Sequence, residues 1–288
     1  SQITNNFTAG SLISLFTDGD VRLDGTFDEP VQLLTGGGPQ TNALGSLFIN
    51  AANDVTANHL VVSADSRGAL PRSAALVSEG DLRAVFIQGT NSLDIKNSDF
   101  SVSTSGAIDA GDLALAGGQI SLDGVTLATT TVGDGDAGAI TIGSTLPVFF
   151  APDPVTGIAA PPIAATTTLN VKESVITATT ETAGSGGDVF FNSSDSISLD
   201  EVTVEVSSSA PAQGGAAGQI RVLAQNEIQV TNASKITATT ESGTPGFIGI
   251  VGVDIDIENT LLETDSASNL SGDPEFFSIG ISTDLGAF

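Results

Sequence analysis

The chain has 288 residues, with 33 glycines, 14 phenylalanines as its only aromatic residues, and no cysteine, methionine or tryptophan. Such small side chains fill a narrow interior, so a long, thin core is favoured over a globule. The net charge of −26, from 34 acidic and 8 basic residues, excludes nucleic acid as a partner because phosphate groups would be repelled. No stretch is long and apolar enough for membrane insertion.

One pattern recurs in chain order: a glycine opens a short apolar strand, two more strands follow, and a Gly/Ser/Asp-rich loop leads to the next glycine. A period of roughly 30 residues indicates a repeat architecture, in which each unit buries its apolar face against its neighbours. The units open near Gly10, Gly45, Gly80, Gly111, Gly138, Gly187, Gly218, Gly246 and Pro274.

Within each unit apolar and polar residues alternate with the period of a strand, and no segment has helical periodicity. The residues expected to point inward include Ile140, Ile142, Leu169, Val171, Ile176 and Ala178. Three strands per unit predict an all-β fold: a single right-handed parallel β-helix (β-solenoid) of about nine triangular coils. One domain is expected over residues 1–288, with a proline-rich insertion loop at 145–165.

Residues 135–142, 196–204 and 230–240 resemble the repeats of cyanobacterial filamentous-haemagglutinin-type exoproteins. The resemblance extends from about residue 112 to residue 266. It implies a β-helical protein of the extracellular space or cell surface, in a family exported by the two-partner route. It also implies an adhesin or a matrix component.

Paired acidic residues in loops and strands are candidate ligands for a structural Ca²⁺, because this cation prefers several oxygen ligands. The pairs are Asp18 with Asp20, Asp134 with Asp136, and Asp254 with Asp256. Each pair lacks the remaining ligands of a complete calcium loop, so solvated surface acids are the alternative interpretation.

Catalysis is not expected, because the basic residues are scattered and His59 is the only histidine. The alternative is a carbohydrate-active or carbohydrate-binding parallel β-helix, which would require acids converging beside Arg221 or Lys172. An ice-binding face was a further possibility, since Thr177 and Thr237 are predicted to occupy equivalent places. We expect Glu205 to interrupt that row.

Two regions are predicted to contact other molecules. The insertion is apolar and rich in proline, so Val148, Phe149, Phe150 and Ile158 either form an exposed patch or pack over the chain. Neither end of the chain resembles a helical cap, and Phe276 and Phe277 lie near its end. The sequence thus predicts a secreted, non-enzymatic structural protein that associates end to end, or with other matrix or cell-surface components.

Overall fold

The computed structural model describes residues 2–7, 12–37, 46–66, 83–105, 109–144, 165–209, 215–266 and 275–282. These residues form 23 β-strands arranged in two parallel sheets. The predicted metal ligands lie in the described part, whereas the insertion at 145–164 lies outside it.

Sheet A contains nine strands, each contributed by a successive repeat. They are β1 (Gln2–Phe7), β4 (Val31–Gly37), β7 (Leu60–Ser66), β9 (Asp99–Thr104), β11 (Thr126–Thr131), β14 (Val175–Thr180), β17 (Thr203–Ser208), β20 (Lys235–Thr240) and β22 (Leu261–Ser266). Every neighbouring pair is parallel and none shows a register shift. Because no pair shifts, the alternation of buried and more exposed residues stays in step from strand to strand, as in β11, β14 and β17.

Sheet B contains the other fourteen strands. They are β2 (Leu12–Thr17), β3 (Val21–Asp24), β5 (Ser46–Ala51), β6 (Asp54–Asn58), β8 (Arg83–Lys96), β10 (Asp112–Asp123), β12 (Ile140–Ile142), β13 (Thr168–Lys172), β15 (Val189–Ser193), β16 (Ser196–Asp200), β18 (Gln219–Ala224), β19 (Glu227–Thr231), β21 (Phe247–Ile257) and β23 (Glu275–Ser282). The long strands β8, β10 and β21 each pair with two consecutive short strands of a neighbouring repeat. These three long strands therefore connect two series of short strands into one sheet.

The predicted fold class, a single right-handed parallel β-helix (β-solenoid) of about nine triangular coils, is wrong as stated. The parallel strands form two sheets rather than three separate faces. The two sheets enclose one core of apolar side chains. Gly89 and Gly117 lie inside the long strands β8 and β10, where a Cβ would approach backbone atoms at 2.0 and 2.9 Å. The pairing of the two strands shifts register between Gly117 and Gln119 and then continues, where the sequence pattern suggests a corner between two short strands. The all-β, parallel part of the prediction is confirmed.

One apolar core lies between the sheets and runs from Ile13 to Ile257. Sheet A contributes residues such as Phe100 and Ile176, and sheet B contributes residues such as Leu113 and Phe191, all at most 1% exposed. The six residues predicted to point inward are all buried. Apolar side chains from alanine to phenylalanine in size therefore fill the interior.

The connections from sheet B to sheet A turn through residues with positive φ. These are His59, Asn97, Gly124, Glu173, Glu201, Asn232, Ala233 and Asn259. Behind this turn, buried hydroxyls hold neighbouring repeats together: Ser174 Oγ accepts a hydrogen bond from the Val125 amide (3.1 Å) and donates one to the Lys172 carbonyl (2.6 Å). Ser98 and Ser234 make the same two contacts in their own repeats.

Candidate functional site at the two ends

Exposure of the apolar interior is concentrated at the two ends of the molecule. We call β1, β2, β3 and the residues that follow up to Glu29 the first end, and β21, β22 and β23 with their connections the last end. Among the side chains that the structure describes, the interior positions that are only partly buried are Leu15, Val21, Leu23 and Val31 near the first end and Leu262 at the last end. Between the ends each strand has neighbours on both sides, and the interior residues Leu127 and Ile176 are fully buried. The ends thus expose core that the rest of the fold covers.

The outer surface shows the same distribution. Five of the seven exposed large apolar side chains in the described part of the chain lie near an end: Phe16, Phe27, Val251, Val253 and Leu261. Phe16 is 52% exposed on β2, and Phe27 is 87% exposed in the turn before β4. The other two, Val132 and Val175, lie in the middle of the chain. Exposed apolar side chains in one place commonly mark a contact with another molecule.

Both ends are also acidic. The first end carries Asp18, Asp20, Asp24, Asp28 and Glu29, and the last carries Asp254, Asp256, Glu258, Glu263 and Asp265. Arg22 is the basic residue of the first end, and its guanidinium contacts the Asp24 carboxylate at 2.9 Å. This hydrogen bond, together with the Coulomb attraction, lowers the pKa of Asp24 below its ordinary value.

Asp20 and Asp254, one from each of two predicted metal-binding pairs, lie in the same row of sheet B, whereas Asp256 lies in the row of Arg22. Asp20 precedes Val21, and its Oδ1 accepts a long hydrogen bond of 3.5 Å from the Asp54 amide. Asp254 pairs with Glu227 on one side and with Gly280 on the other. Both side chains, like Asp18, are exposed, and Asp256 is half-buried.

The third pair lies in the middle of the chain. Asp134 is exposed, whereas the Asp136 carboxylate is held by the next repeat, because its Oδ1 accepts a hydrogen bond from the Ser185 amide at 2.6 Å. The Asp136 amide in turn donates to Asp109 Oδ1 at 2.9 Å. Asp136 therefore links two repeats through its side chain.

Many acidic residues link neighbouring repeats through their carboxylates, as Asp136 does. This role was not predicted from the sequence. A carboxylate oxygen of one repeat accepts a hydrogen bond from a neighbouring repeat at Asp54, Asp65, Asp109, Asp112, Asp136, Asp188, Asp195 and Asp200. The signal in the sequence was an Asp near the start or end of a strand, at a place that recurs from repeat to repeat. No group of three or more Asp, Glu or His residues suited to a metal occurs in the described residues.

The surroundings of Lys172 bear on the carbohydrate alternative. Lys172 lies in one outer row of sheet B with Asp123 on one side and Asp200 on the other. Its Nζ contacts Glu173 Oε1 at 3.0 Å, and this hydrogen bond is the main cause that raises the Lys172 pKa, with smaller contributions from Asp123 and Asp200. The Lys172 side chain and its partner lie on the surface. Arg221 lies elsewhere on sheet B, with its Cζ 5.9 Å from the centroid of the Phe247 ring. Acids of two neighbouring repeats therefore flank Lys172, as the carbohydrate alternative requires.

The predicted partner-contact residues are described only in part. Val148, Phe149, Phe150 and Ile158 lie outside the described residues. The segment that carries them leaves and re-enters sheet B at adjacent points, because the Thr166 amide donates to the Ser144 carbonyl at 2.7 Å. Phe276 and Phe277 are in β23 and pair with Ile250 and Val251.

A second apolar patch lies on the outer face of sheet B, at positions where the alternation predicts polar residues. It contains Phe86, Ala114 and Ala116, with Phe48 beside them. The rings of Phe48 and Phe86 lie 6.3 Å apart. Next to the patch, the buried amide group of Asn50 makes no hydrogen bond to a described residue. Because the patch is buried, it is not part of the exposed surface at the ends.

The predicted threonine rows have the expected register. Thr177 is followed in its row by Glu205, Thr237 and Glu263, and Thr179 is followed by Ser207, Thr239 and Asp265. The carboxylates therefore interrupt a regular hydroxyl face in alternate repeats.

Comparison with known proteins found no match to any family model, curated protein or solved structure. The resemblance to filamentous-haemagglutinin-type repeats accordingly stays a prediction. No helix in the described part of the chain could cross a membrane.

Proposed function

We propose that this protein is an extracellular, non-enzymatic structural protein that assembles end to end into a fibre, a matrix or a surface layer, with adhesin-like contacts to other surface components. The observation that carries the proposal is the concentration of exposed apolar residues at the two ends. Burying Phe16 and Leu261 against a second molecule would remove apolar surface from water, which favours association. The parallel strand pairing that runs from end to end would give such an assembly its stiffness.

The acidic surface has a role in this proposal. Two acidic ends repel each other, and this repulsion weakens when salt screens the charges. Ca²⁺ held by Asp18 and Asp20 at one end, or by Asp254 and Asp256 at the other, would weaken it further. Asp134 and Asp136 would then bind Ca²⁺ independently of assembly.

Electron microscopy of the purified protein over a range of concentrations tests the proposal. We expect filaments one molecule wide that lengthen as the concentration rises, and that shorten when a chelator removes Ca²⁺. Particles of one uniform size at every concentration, ionic strength and Ca²⁺ level would rule out end-to-end assembly.

A further inference from the structure

We infer that a turn of one copy binds a patch on a second copy: the turn at residues 26–29, between β3 and β4, contacts the outer face of sheet B around Arg221. The structure describes the side chains of both surfaces. This inference rests on the assembly proposed above, because the turn belongs to the first end and part of the patch belongs to the last end. It specifies which surfaces meet in that assembly.

The Arg221 patch consists of the outward residues of three neighbouring strand segments, namely β15, β18 and residues 247–251 of β21. Its members are Phe190, Asn192, Gln219, Arg221, Leu223, Phe247, Gly249 and Val251. None of them is acidic, although the chain has 34 acidic residues. Farther along the same repeats, the outward residues include Asp200, Glu227 and Asp254. The patch is therefore a non-acidic area on an acidic surface.

Apolar side chains of the Arg221 patch are open to solvent. Val251 is 38% exposed, and Phe190, Leu223 and Phe247 are half-buried. With strands about 4.8 Å apart and a rise of about 3.3 Å per residue, the patch measures roughly 10 by 13 Å. One aromatic side chain and the residues beside it fit on such an area.

Neutral groups hold the Arg221 guanidinium in place. Its Nη2 donates a hydrogen bond to Gln219 Oε1 at 2.7 Å, and its Cζ lies 5.9 Å from the centroid of the Phe247 ring. That ring lies across Gly249, since a Cβ added to Gly249 would lie 2.6 Å from Phe247 Cε1. The guanidinium has further N–H donors, which remain able to bind a carboxylate.

Arg221 forms no ion pair within the described residues. The ion pairs found there join Arg22 to Asp24, Lys96 to Asp94 and Lys172 to Glu173. An arginine beside an aromatic ring is typical of the residues that contribute most to protein–protein binding. The patch thus suits a protein partner that presents a carboxylate next to an apolar side chain.

The turn at residues 26–29 has both features. Phe27 is 87% exposed, more than any other large apolar side chain in the described part of the chain, and Asp28 and Glu29 beside it are exposed as well. The Thr26 amide donates to the Glu29 carbonyl at 3.1 Å, and the Glu29 amide donates to Thr26 Oγ1 at 3.1 Å. These hydrogen bonds fix the turn before it binds, so less conformational entropy is lost on association.

In the contact, Phe27 packs against Phe247 and Leu223, and a carboxylate of the turn binds Arg221. The turn and the patch are different surfaces, so one copy binds a neighbour through its turn and another neighbour through its patch. Such a heterologous contact propagates unless it closes into a ring. Because the patch is small, we expect weak association that requires a high protein concentration.

Exchange of the charges tests the contact. One variant, Arg221→Glu, changes the patch, and a second variant, which carries Asp28→Lys and Glu29→Lys, changes the turn. Sedimentation velocity over a range of concentrations measures association. We expect each variant alone to require a concentration higher by about tenfold or more than the parent protein. An equal mixture should recover association, because the changed patch then meets the changed turn with opposite charge. A mixture that stays monomeric would overturn the inference.

Lys235→Glu is the matched control, because it changes the net charge as Arg221→Glu does but lies on the outer face of sheet A. We expect it to associate like the parent protein. Phe27→Ser should weaken association, because it removes the apolar part of the contact. Circular dichroism checks that every variant is folded. Equal weakening by Lys235→Glu and Arg221→Glu would indicate general repulsion and overturn the inference.

The same measurements separate this contact from the proposed function. Dimers that do not grow with concentration would indicate a two-fold contact and overturn the inference. Filaments of the parent protein that persist unchanged in Arg221→Glu would overturn this contact and leave the proposed function intact. No association of the parent protein at any concentration would overturn the proposed function together with this contact.

Discussion

A Cβ added to Gly187 would lie 2.1 Å from the carbonyl oxygen of Gly138, its counterpart in the preceding repeat. The same relationship joins Gly218 to Gly187 at 1.9 Å and Gly138 to Gly111 at 2.1 Å. The glycines that open the repeats therefore form a column in which the backbones of successive repeats touch. No side chain fits at these positions.

Replacing Gly187 by alanine should lower the free energy of unfolding by about 1–3 kcal/mol or more, because backbone atoms must move to admit the new methyl group. Thermal or denaturant unfolding measures the effect. Gly19→Ala is the matched control, since the nearest atom to its added Cβ is Thr17 Oγ1 at 3.8 Å. Equal stability of the two variants would contradict the close packing of the column.

Replacing Ser174 by alanine should cost about 1–3 kcal/mol of stability, because the buried Val125 amide loses its hydrogen-bond acceptor. Denaturant unfolding of the variant measures this cost. Ser101→Ala is the control, since Ser101 is exposed on the outer face of sheet A. A loss of stability as large for Ser101→Ala as for Ser174→Ala would show that the buried hydroxyl has no special role.

Two substitutions at Asp136 separate its structural contact from Ca²⁺ binding. Asp136→Ala removes the acceptor of the Ser185 amide and should destabilise the fold by about 1 kcal/mol, whereas Asp136→Asn keeps an oxygen there and should change stability less. Thermal unfolding is measured with Ca²⁺ and with a chelator. If Asp136 binds Ca²⁺, both variants lose the stabilisation by Ca²⁺ that the parent protein shows at this site. An unchanged response in both would remove Asp136 from the candidate ligands.

The Asp24 carboxyl should titrate below its ordinary pKa of 3.8 in the native protein, and Arg22→Gln should raise its pKa towards that value. A carboxyl with a lowered native pKa contributes stability above its unfolded pKa, and this contribution is lost as the pH falls through the native pKa. The pair is on the surface, so we expect a small effect on stability. NMR titration of the Asp24 side chain in both proteins measures the shift. An identical pKa in the two would contradict the ion pair.

Phe16→Lys should shorten the filaments or abolish them, because it places a charge among the exposed apolar residues of the first end. Val132→Lys is the matched control, since Val132 is equally exposed, at 51% against 52%, but lies away from the ends. Filament length by electron microscopy and mass by sedimentation distinguish the two variants. Equal shortening by both would show that assembly does not depend on the first end.

The sequence by itself determined the strands and their inward faces. Alternation over residues such as Ile140 and Ile142 leaves only one face that can be buried, and the recurring glycines mark where successive repeats touch. In the described corners Asn97, Glu173 and other residues with side chains adopt positive φ, whereas Gly138 and Gly187 are required by the contact between backbones.

Only the tertiary structure decided how the strands are grouped, which carboxylates bind backbone amides, and where apolar residues remain exposed. At Gly89 and Gly117 the strand pairing continues across a register shift, and a one-dimensional pattern does not distinguish such an irregularity from a corner. Asp136 and Ser185 are 49 residues apart in the chain, so their hydrogen bond depends on stacking. In the described fold β2 pairs with β5 alone, and this leaves Phe16 exposed. The local sequence does not show which distant strands become neighbours.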